Sequence, residues 1–239
     1  MKLTLDVENT TTERNGKLHL DPFEPENSLT MVGMLSDQPA ILPDGTKIDD
    51  ETIVVFDHEE ASSPDQQSFD LVQSYLDQAT IIIAHNAAYD LLWLWESGFT
   101  YDGPVFDTML GEYVLQRGIK EPLSLEACAN RYNLDTKKQD TLKEYFKKGY
   151  STRTIPLDEL SEYLSADLHA TQQLADKLMM QLQSSSSNLM DTVTLTNQVC
   201  VTLARIYQRG FKVDLNVLED VRQEFEQEKC QLIDDLQSH

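Results

Sequence analysis

Three short apolar runs alternate with turn-rich segments over the first sixty residues: Leu3 to Val7, Leu29 to Leu35 and Thr52 to Phe56. Such runs, bounded by Asn, Asp, Pro and Gly, predict β-strands. Strands that follow one another without an intervening helix predict an antiparallel meander. A helix is expected at Ser63-Pro64-Asp65-Gln66, with Ser63 as N-cap and Pro64 in the first turn, ahead of Phe69, Leu71, Val72, Tyr75 and Leu76. Ile81-Ile82-Ile83-Ala84 is an unbroken apolar run, as a strand buried on both faces requires. It leads through His85-Asn86 into a helix over Tyr89 to Trp95, stopped by Gly98. Val105 and Phe106 predict one more short strand, and a helix from Asp107 to about Gln116 is closed by Gly118.

Beyond Pro156, Leu157, Leu160, Leu164, Leu168, Leu174, Leu178 and Leu182 recur at helical spacing, which predicts one long helix over 157–183. The run Ser184 to Asn188 reads as a linker, followed by helices over about 189–208 and 215–237 with Gly210 between them. The pattern is that of an α/β domain with a mixed sheet and C-terminal helices. In the last segment Leu218, Val221, Phe225, Leu232 and Leu236 form an apolar stripe that needs a partner surface. The expectation is that the chain is the front part of a longer protein.

Composition changes this picture in one respect. The 239 residues are 40% hydrophobic, an ordinary globular value, but 19 Lys and Arg face 41 Asp and Glu, for a net charge of −22. Such a balance argues against a nucleic-acid binder, whose affinity rests on cations meeting phosphates. The charge is uneven. Residues 1–100 carry 4 bases and 19 acids, whereas within 131–153 Arg131, Lys137, Lys138, Lys143, Lys147, Lys148 and Arg153 oppose only Asp135, Asp140 and Glu144. Three widely spaced cysteines, Cys128, Cys200 and Cys230, form no metal or disulfide pattern and fit a reducing compartment. Asp6 interrupts any apolar leader, and no apolar run nears 18 residues, so a soluble cytoplasmic protein is expected, with no membrane partner.

Acids recur at three informative places. In Asp6-Val7-Glu8 the two carboxylates, two apart on a strand, share one face. In His85-Asn86-Ala87-Ala88-Tyr89-Asp90, at the exit of a buried strand, Asp90 falls in the first turn of the next helix. In Tyr163-Leu164-Ser165-Ala166-Asp167 the i, i+4 spacing puts phenol and carboxylate on one helix face. Taken singly these also read as solvated acids, a turn residue and an amphipathic helix. Together they supply the several carboxylates that a phosphodiester-cleaving site needs to converge on two divalent ions.

In this order and spacing, Asp6-x-Glu8, Asn86-x-x-x-Asp90 and Tyr163-x-x-x-Asp167 resemble the three exonuclease motifs of the DEDD superfamily in its tyrosine branch. The set looks most like the 3′→5′ proofreading domain of family A DNA polymerases, particularly those of bacteriophages. Phe106-Asp107-Thr108 before a helix adds support, and Leu203 to Asp214 looks like the opening of the polymerase thumb. The resemblance implies a ribonuclease H-like mixed sheet, an exonuclease domain over 1–183, and a linker plus thumb-like helices over 184–239. It implies hydrolysis of the terminal phosphodiester at a single-stranded DNA 3′ end with two Mg²⁺ or Mn²⁺ ions, and the remainder of a polymerase chain as partner. The implied catalytic set is Asp6, Glu8, Asp90, Tyr163 and Asp167. By that resemblance Asp6 would bridge the ions, Glu8 and Asp167 would complete one of them, Asp90 would reach the other, and Tyr163 would orient the attacking water. Asn86 would hold the terminal nucleotide, and His85 is structural. Asn9 stands where the family often has Thr or Ala, with a backbone contact to the substrate as its expected part.

The basic strip, with Tyr145, Phe146 and Tyr150 interleaved, has the character of a single-strand surface in which phosphates meet Lys143, Lys147 and Lys148 and bases stack on rings such as Tyr145. A solvated helix whose aromatics face the core has the same pattern. An RNA-processing exonuclease shares the motifs; the other readings are a silent exonuclease fold kept as a platform, whose mark would be the loss of one or more carboxylates, and a generic acidic metal-binding module.

Overall fold

In a computed structural model that describes residues 1–42, 44–134, 139–185 and 189–237, without the side chains of 139–141, the early apolar runs pair into one sheet. Its strands are β1 (Lys2–Asn9), β4 (Leu29–Ser36), β5 (Glu51–Val55), β6 (Ile81–Ala84) and β7 (Val105–Asp107). A separate hairpin, β2 (Thr12–Arg14) with β3 (Lys17–His19), follows β1. The order is β5-β4-β1-β6-β7. β4 is antiparallel to both β1 and β5, the expected meander, whereas β6 and β7 run parallel to β1 and each other. All eight residues of β4 are buried, in keeping with a sequence whose only polar side chains are Thr30 and Ser36.

The hairpin was not expected. Its signal is nevertheless present: Asn15 and Gly16 both adopt positive φ, at 54° and 71°, the Asn-Gly pair that a tight two-residue hairpin turn favours.

Helices α1 (Gln66–Gln78), α2 (Ala87–Glu96), α3 (Thr108–Gln116), α4 (Leu125–Tyr132), α5 (Gln139–Lys147) and α6 (Leu157–Ser184) flank the sheet or pack on one another. α7 (Leu189–Arg209) and α8 (Leu215–Gln237) follow. α1 starts two residues later than the Ser63 cap predicted, because Asp65 caps it, its carboxylate accepting the Ser68 N–H at 3.0 Å. α6 lies against β1, β4 and β6 and buries Leu160, Leu164, Leu168, Leu174, Leu178 and Leu182 along one side.

The first compact unit, Met1–Arg205, includes most of α7, whose Val193, Asn197 and Ala204 are buried. Arg205 closes that unit with its guanidinium 3.4 Å from the centre of the Trp95 ring. The second unit, Ile206–His239, contains α8, whose apolar stripe Leu218, Val221, Phe225, Leu232 and Leu236 is exposed. Among the described residues no helix is long and apolar enough to cross a membrane.

The segment before α6 is tied down by polar contacts. Thr152 and Thr30 hydroxyls stand 2.9 Å apart, and Glu59 N–H donates to Arg153 O at 3.1 Å. Buried His58 accepts the Glu60 N–H on Nδ1 at 3.1 Å, which fixes the tautomer so that Nε2 donates to Ile155 O at 2.7 Å. Replacing His58 by Ala leaves the buried Ile155 carbonyl without this donor and is expected to cost about 1–3 kcal/mol in urea unfolding. A loss under about 0.5 kcal/mol would show that the start of α6 is held by other contacts.

Candidate active site

β1 carries Asp6 and Glu8 on the face that meets α6. Asp6 lies opposite Gly33 and Glu8 opposite Met31, and the register shifts between Glu8 and Asn9. Such irregularities re-aim side chains at the end of a strand. Asn9 is thereby drawn into a buried network: its Nδ2 donates to Thr10 O at 2.8 Å, and its Oδ1 lies 2.6 Å from the Tyr89 hydroxyl.

α2 brings in Asn86 and Asp90. Asn86 precedes the helix in the left-handed region, φ 72° and ψ 49°, and its side chain makes no cap hydrogen bond. The cap comes from Asp107. Its Oδ1 accepts Asn86 N–H at 3.1 Å, its Oδ2 accepts Ala87 N–H at 3.0 Å, and Oδ1 also takes Met109 N–H at 2.8 Å at the start of α3. One buried carboxylate thus closes two helix N-termini. The sequence marked Asp107 as the start of a helix; its reach across to α2 depends on the parallel pairing of β6 with β7 and was not legible. His85 is fixed in the same corner, Nε2 donating to Leu123 O at 2.9 Å and Nδ1 standing 2.8 Å from Thr108 Oγ1, and burial holds it below its ordinary range.

α6 supplies Tyr163 and Asp167, one turn apart. The five predicted catalytic side chains form one electrostatic cluster. Burial, then the charge of Asp167, pushes Asp6 up to about 8, against the Val7 amide that pulls it down. Burial, with Asp6 and Asp167 behind it, raises Glu8 well above the usual carboxylate range. Asp90 is raised by burial, then by Asp6 and Asp107. Tyr163 is driven far above the ordinary phenol range by burial, by the charges of Asp167 and Glu8, and by its hydrogen bond to Asp167. At neutral pH it keeps its proton, so it can donate a hydrogen bond but cannot act as a base.

Asp90 Oδ2 is buried without a hydrogen-bond partner, and each neighbouring acid raises the proton affinity of the others. Both features fit side chains that await cations, and an all-oxygen donor set suits Mg²⁺. The acids are coupled without being clenched: among the described residues no three His, Cys, Asp or Glu side chains are gathered tightly enough to hold an ion as they stand. Repulsion between uncompensated carboxylates favours such spacing.

A cleft of about 240 Å³ opens beside Tyr163 and Asp167, walled by Ser124, Leu125 and Glu126 at α4 and by Leu142, Lys143 and Phe146 of α5. A larger cleft, of about 610 Å³, is lined by α1 and residues near Leu42 and contains none of the predicted site residues. The basic strip divides. Arg131 binds buried Glu112 at 2.6 Å and Arg153 binds Asp57 at 3.2 Å, so both hold the fold together. Lys143 pairs with Glu126 at 2.8 Å on the rim of the smaller cleft. Tyr145 donates to Glu159 at 2.8 Å, packs edge-on against Tyr150, and has Lys148 Nζ 5.8 Å from its ring centre. Lys147, Lys148 and Phe146 are exposed, while Lys137 and Lys138 lie outside the described residues.

A mixed sheet with carboxylates converging from a central strand, a helix start and a long crossing helix defines a ribonuclease H-like nuclease fold. The family described as 3′-5′ exonuclease, DNA_pol_A_exo1, matches residues 46–183, more than half of the chain, and the chain belongs to that family. The matched stretch holds Asn86, Asp90, Tyr163 and Asp167 and begins after Asp6, Glu8 and Asn9. DNA polymerase I of Synechocystis sp. is 29% identical over 142 residues, 59% of this chain and 14% of the relative. The chain therefore spans about a seventh of that relative's length. Among solved structures, Brucella melitensis NrnC with bound Mg²⁺ superposes with a TM-score of 0.57 at 20% identity, covering 89% of this chain and 88% of the other. The same protein bound to pGG gives 0.58 at 20% identity over the same shares. The POL domain of Pol1 from M. smegmatis, in complex with DNA primer-template and dNTP, gives 0.57 at 18% identity, covering 94% of this chain and 31% of that one.

Raised folded-state pKa values set a pH dependence. A carboxylate whose pKa is higher folded than unfolded adds stability below its unfolded value, and that stability is lost as pH rises through the folded value. With a divalent-ion chelator present, Tm is expected to fall steadily as pH rises from about 5, with the share due to Asp6 levelling off above about 8 once its proton is lost, and Mg²⁺ is expected to reduce the fall. Asp6→Asn, which has no proton to lose, flattens the profile. A wild-type Tm that rises over this range in chelator would contradict the coupling.

Proposed function

We propose that this chain hydrolyses the terminal phosphodiester at the 3′ end of single-stranded DNA, as the proofreading part of a family A DNA polymerase. The observation that carries the reading is the meeting of buried Asp90 and Asp167 with half-buried Asp6, Glu8 and Tyr163 in one electrostatically coupled cluster beside the α4–α5 cleft. Family membership supports the exonuclease chemistry, and the Synechocystis relative supports the polymerase setting.

In this reading Asp6, Glu8, Asp90 and Asp167 hold two Mg²⁺ or Mn²⁺ ions. When bound, such ions lower the pKa of water and stabilise charge on the attacking and leaving oxygens. The protein's own groups do the positioning. Tyr163, protonated and donating to Asp167, orients the attacking water by accepting from it at the hydroxyl oxygen. Asn86, fixed in a left-handed turn by the Asp107 cap, presents its side chain to the terminal nucleotide. Lys143 on the cleft rim, with Lys147 at the end of α5 and Lys148 just past it, meets the phosphates of the strand. Asn9 contributes through its backbone, since its side chain is engaged with Thr10 and Tyr89. Tyr145 lends its ring edge to this surface while its hydroxyl remains with Glu159. The setting is cytoplasmic, supported by three free cysteines.

A second reading, an exonuclease acting on RNA, is kept because the fold also superposes on NrnC, solved in one case with pGG. Rates on matched DNA and RNA strands separate the two.

Asp6→Ala and Asp167→Ala each remove a ligand worth several kcal/mol, so the hydrolysis rate on single-stranded DNA is expected to fall about a thousandfold or more with the fold retained. Full activity of the folded Asp6→Ala protein would overturn the assignment.

A further inference from the structure

The site joins groups from two elements that share no local sequence: Asp6 and Glu8 come from β1, and Tyr163 and Asp167 from α6. What sets the distance between them is the depth at which α6 settles on the sheet. In the antiparallel register Asp6 lies directly opposite Gly33 of β4, so a side chain at 33 would project from the same face as the Asp6 carboxylate. That space is filled by α6. A Cβ added to Gly33 would stand 2.9 Å from Leu164 Cγ, 2.9 Å from Leu168 Cδ1 and 3.1 Å from Leu164 Cδ2. Carbon atoms in good contact keep about 3.5–4.0 Å, so even one methyl group forces the helix or its leucines to move. Leu164 and Leu168 are fully buried and immediately follow Tyr163 and Asp167 in sequence, so the helix turn that carries the site is the turn that sits on Gly33.

We infer that Gly33 is a positioning residue: by offering no side chain it lets α6 descend far enough for Asp167 and Tyr163 to share one ion site with Asp6 and Glu8. This rests on the functional reading above and extends it to a residue without chemistry of its own. Gly33 needs no unusual backbone angle, as it is not among the positive-φ glycines, so the requirement is for space alone. Its neighbours on β4 are large, Val32 and Met34, and both are buried against the opposite core, which makes the gap at 33 specific to the α6 face.

The test compares wild type with Gly33→Ala and with Gly33→Ala/Leu164→Ala, in which both Leu164 contacts are deleted and only the terminal Leu168 methyl must swing aside. Mn²⁺ affinity is measured by calorimetry, and kcat and KM on a labelled single strand in Mg²⁺. A displacement of about 1 Å at a reacting centre can cost about a hundredfold. Folded Gly33→Ala is expected to lose about ten- to a hundredfold in kcat and about tenfold in Mn²⁺ affinity, with KM for DNA within about twofold, and the double variant is expected to recover most of both. Folded Gly33→Ala with kcat and Mn²⁺ affinity within about twofold of wild type would overturn the inference, because a merely packed glycine changes stability and leaves the folded site intact. If Gly33→Ala does not fold, Gly33→Ala/Leu164→Ala is compared with Gly33→Val/Leu164→Ala, whose larger side chain refills the gap: an Mn²⁺ affinity about tenfold lower in the latter supports the role, and near-equal affinities overturn it. A wild-type chain that neither binds Mn²⁺ nor cuts DNA would overturn the functional reading, and this inference with it.

Discussion

The constraint on which the structure turns is the confinement of four carboxylates in a region of low polarity. Burial is the largest cause of the raised proton affinity of Asp6, Glu8 and Asp90, and mutual repulsion adds to it in every case. Among the described residues no cationic side chain figures among the causes that set these affinities, and Arg131, Lys143 and Arg153 are each engaged with another acid. Such an arrangement is costly to a fold. Its retention is intelligible if cations of another kind are meant to enter, and that is the physical core of the nuclease reading.

The scaffold answers this constraint by holding each acid from a different direction. β1 is central in the sheet and cannot drift. α2 is fixed at its start by the Asp107 carboxylate, which serves α3 at the same time, and the Asp90 carboxylate is itself tied to the Val7 amide of β1. α6 is anchored ahead of its first turn by Thr30, His58 and Glu59, and its depth on the sheet is governed by Gly33. Rigid elements bracketing a repulsive cluster are what preorganised catalysis requires.

Much of this was legible in the sequence, and the reason differs by residue. Asp6 and Glu8 share a face because a strand has period two, and Tyr163 with Asp167 because a helix has nearly period four, so both pairs follow from local geometry. The Ile81 to Ala84 strand and the long α6 declared themselves by unbroken and periodic leucine and isoleucine. What escaped was tertiary. The second role of Asp107 exists only because β7 lies beside β6, the demand for space at Gly33 only because α6 crosses β4, and the division of the basic strip only because Glu112, Glu126 and Asp57 come from elsewhere in the chain. The Asn15-Gly16 hairpin was local and readable; the three-residue strands on either side of it were too short to announce themselves.

The net charge of −22 takes on a narrower meaning in this account. Four of the acids belong to the proposed ion site, and the bases that can meet a phosphate backbone sit on α5, beside that site. The most direct test of the central claim is a crystal structure of the protein grown with Mn²⁺, read by anomalous scattering. The account predicts two ions, one of them bound by Asp6, Glu8 and Asp167 and the other shared between Asp6 and the vicinity of Asp90. Anomalous density that is absent from the cluster at saturating Mn²⁺, with the four carboxylates ordered, would contradict it.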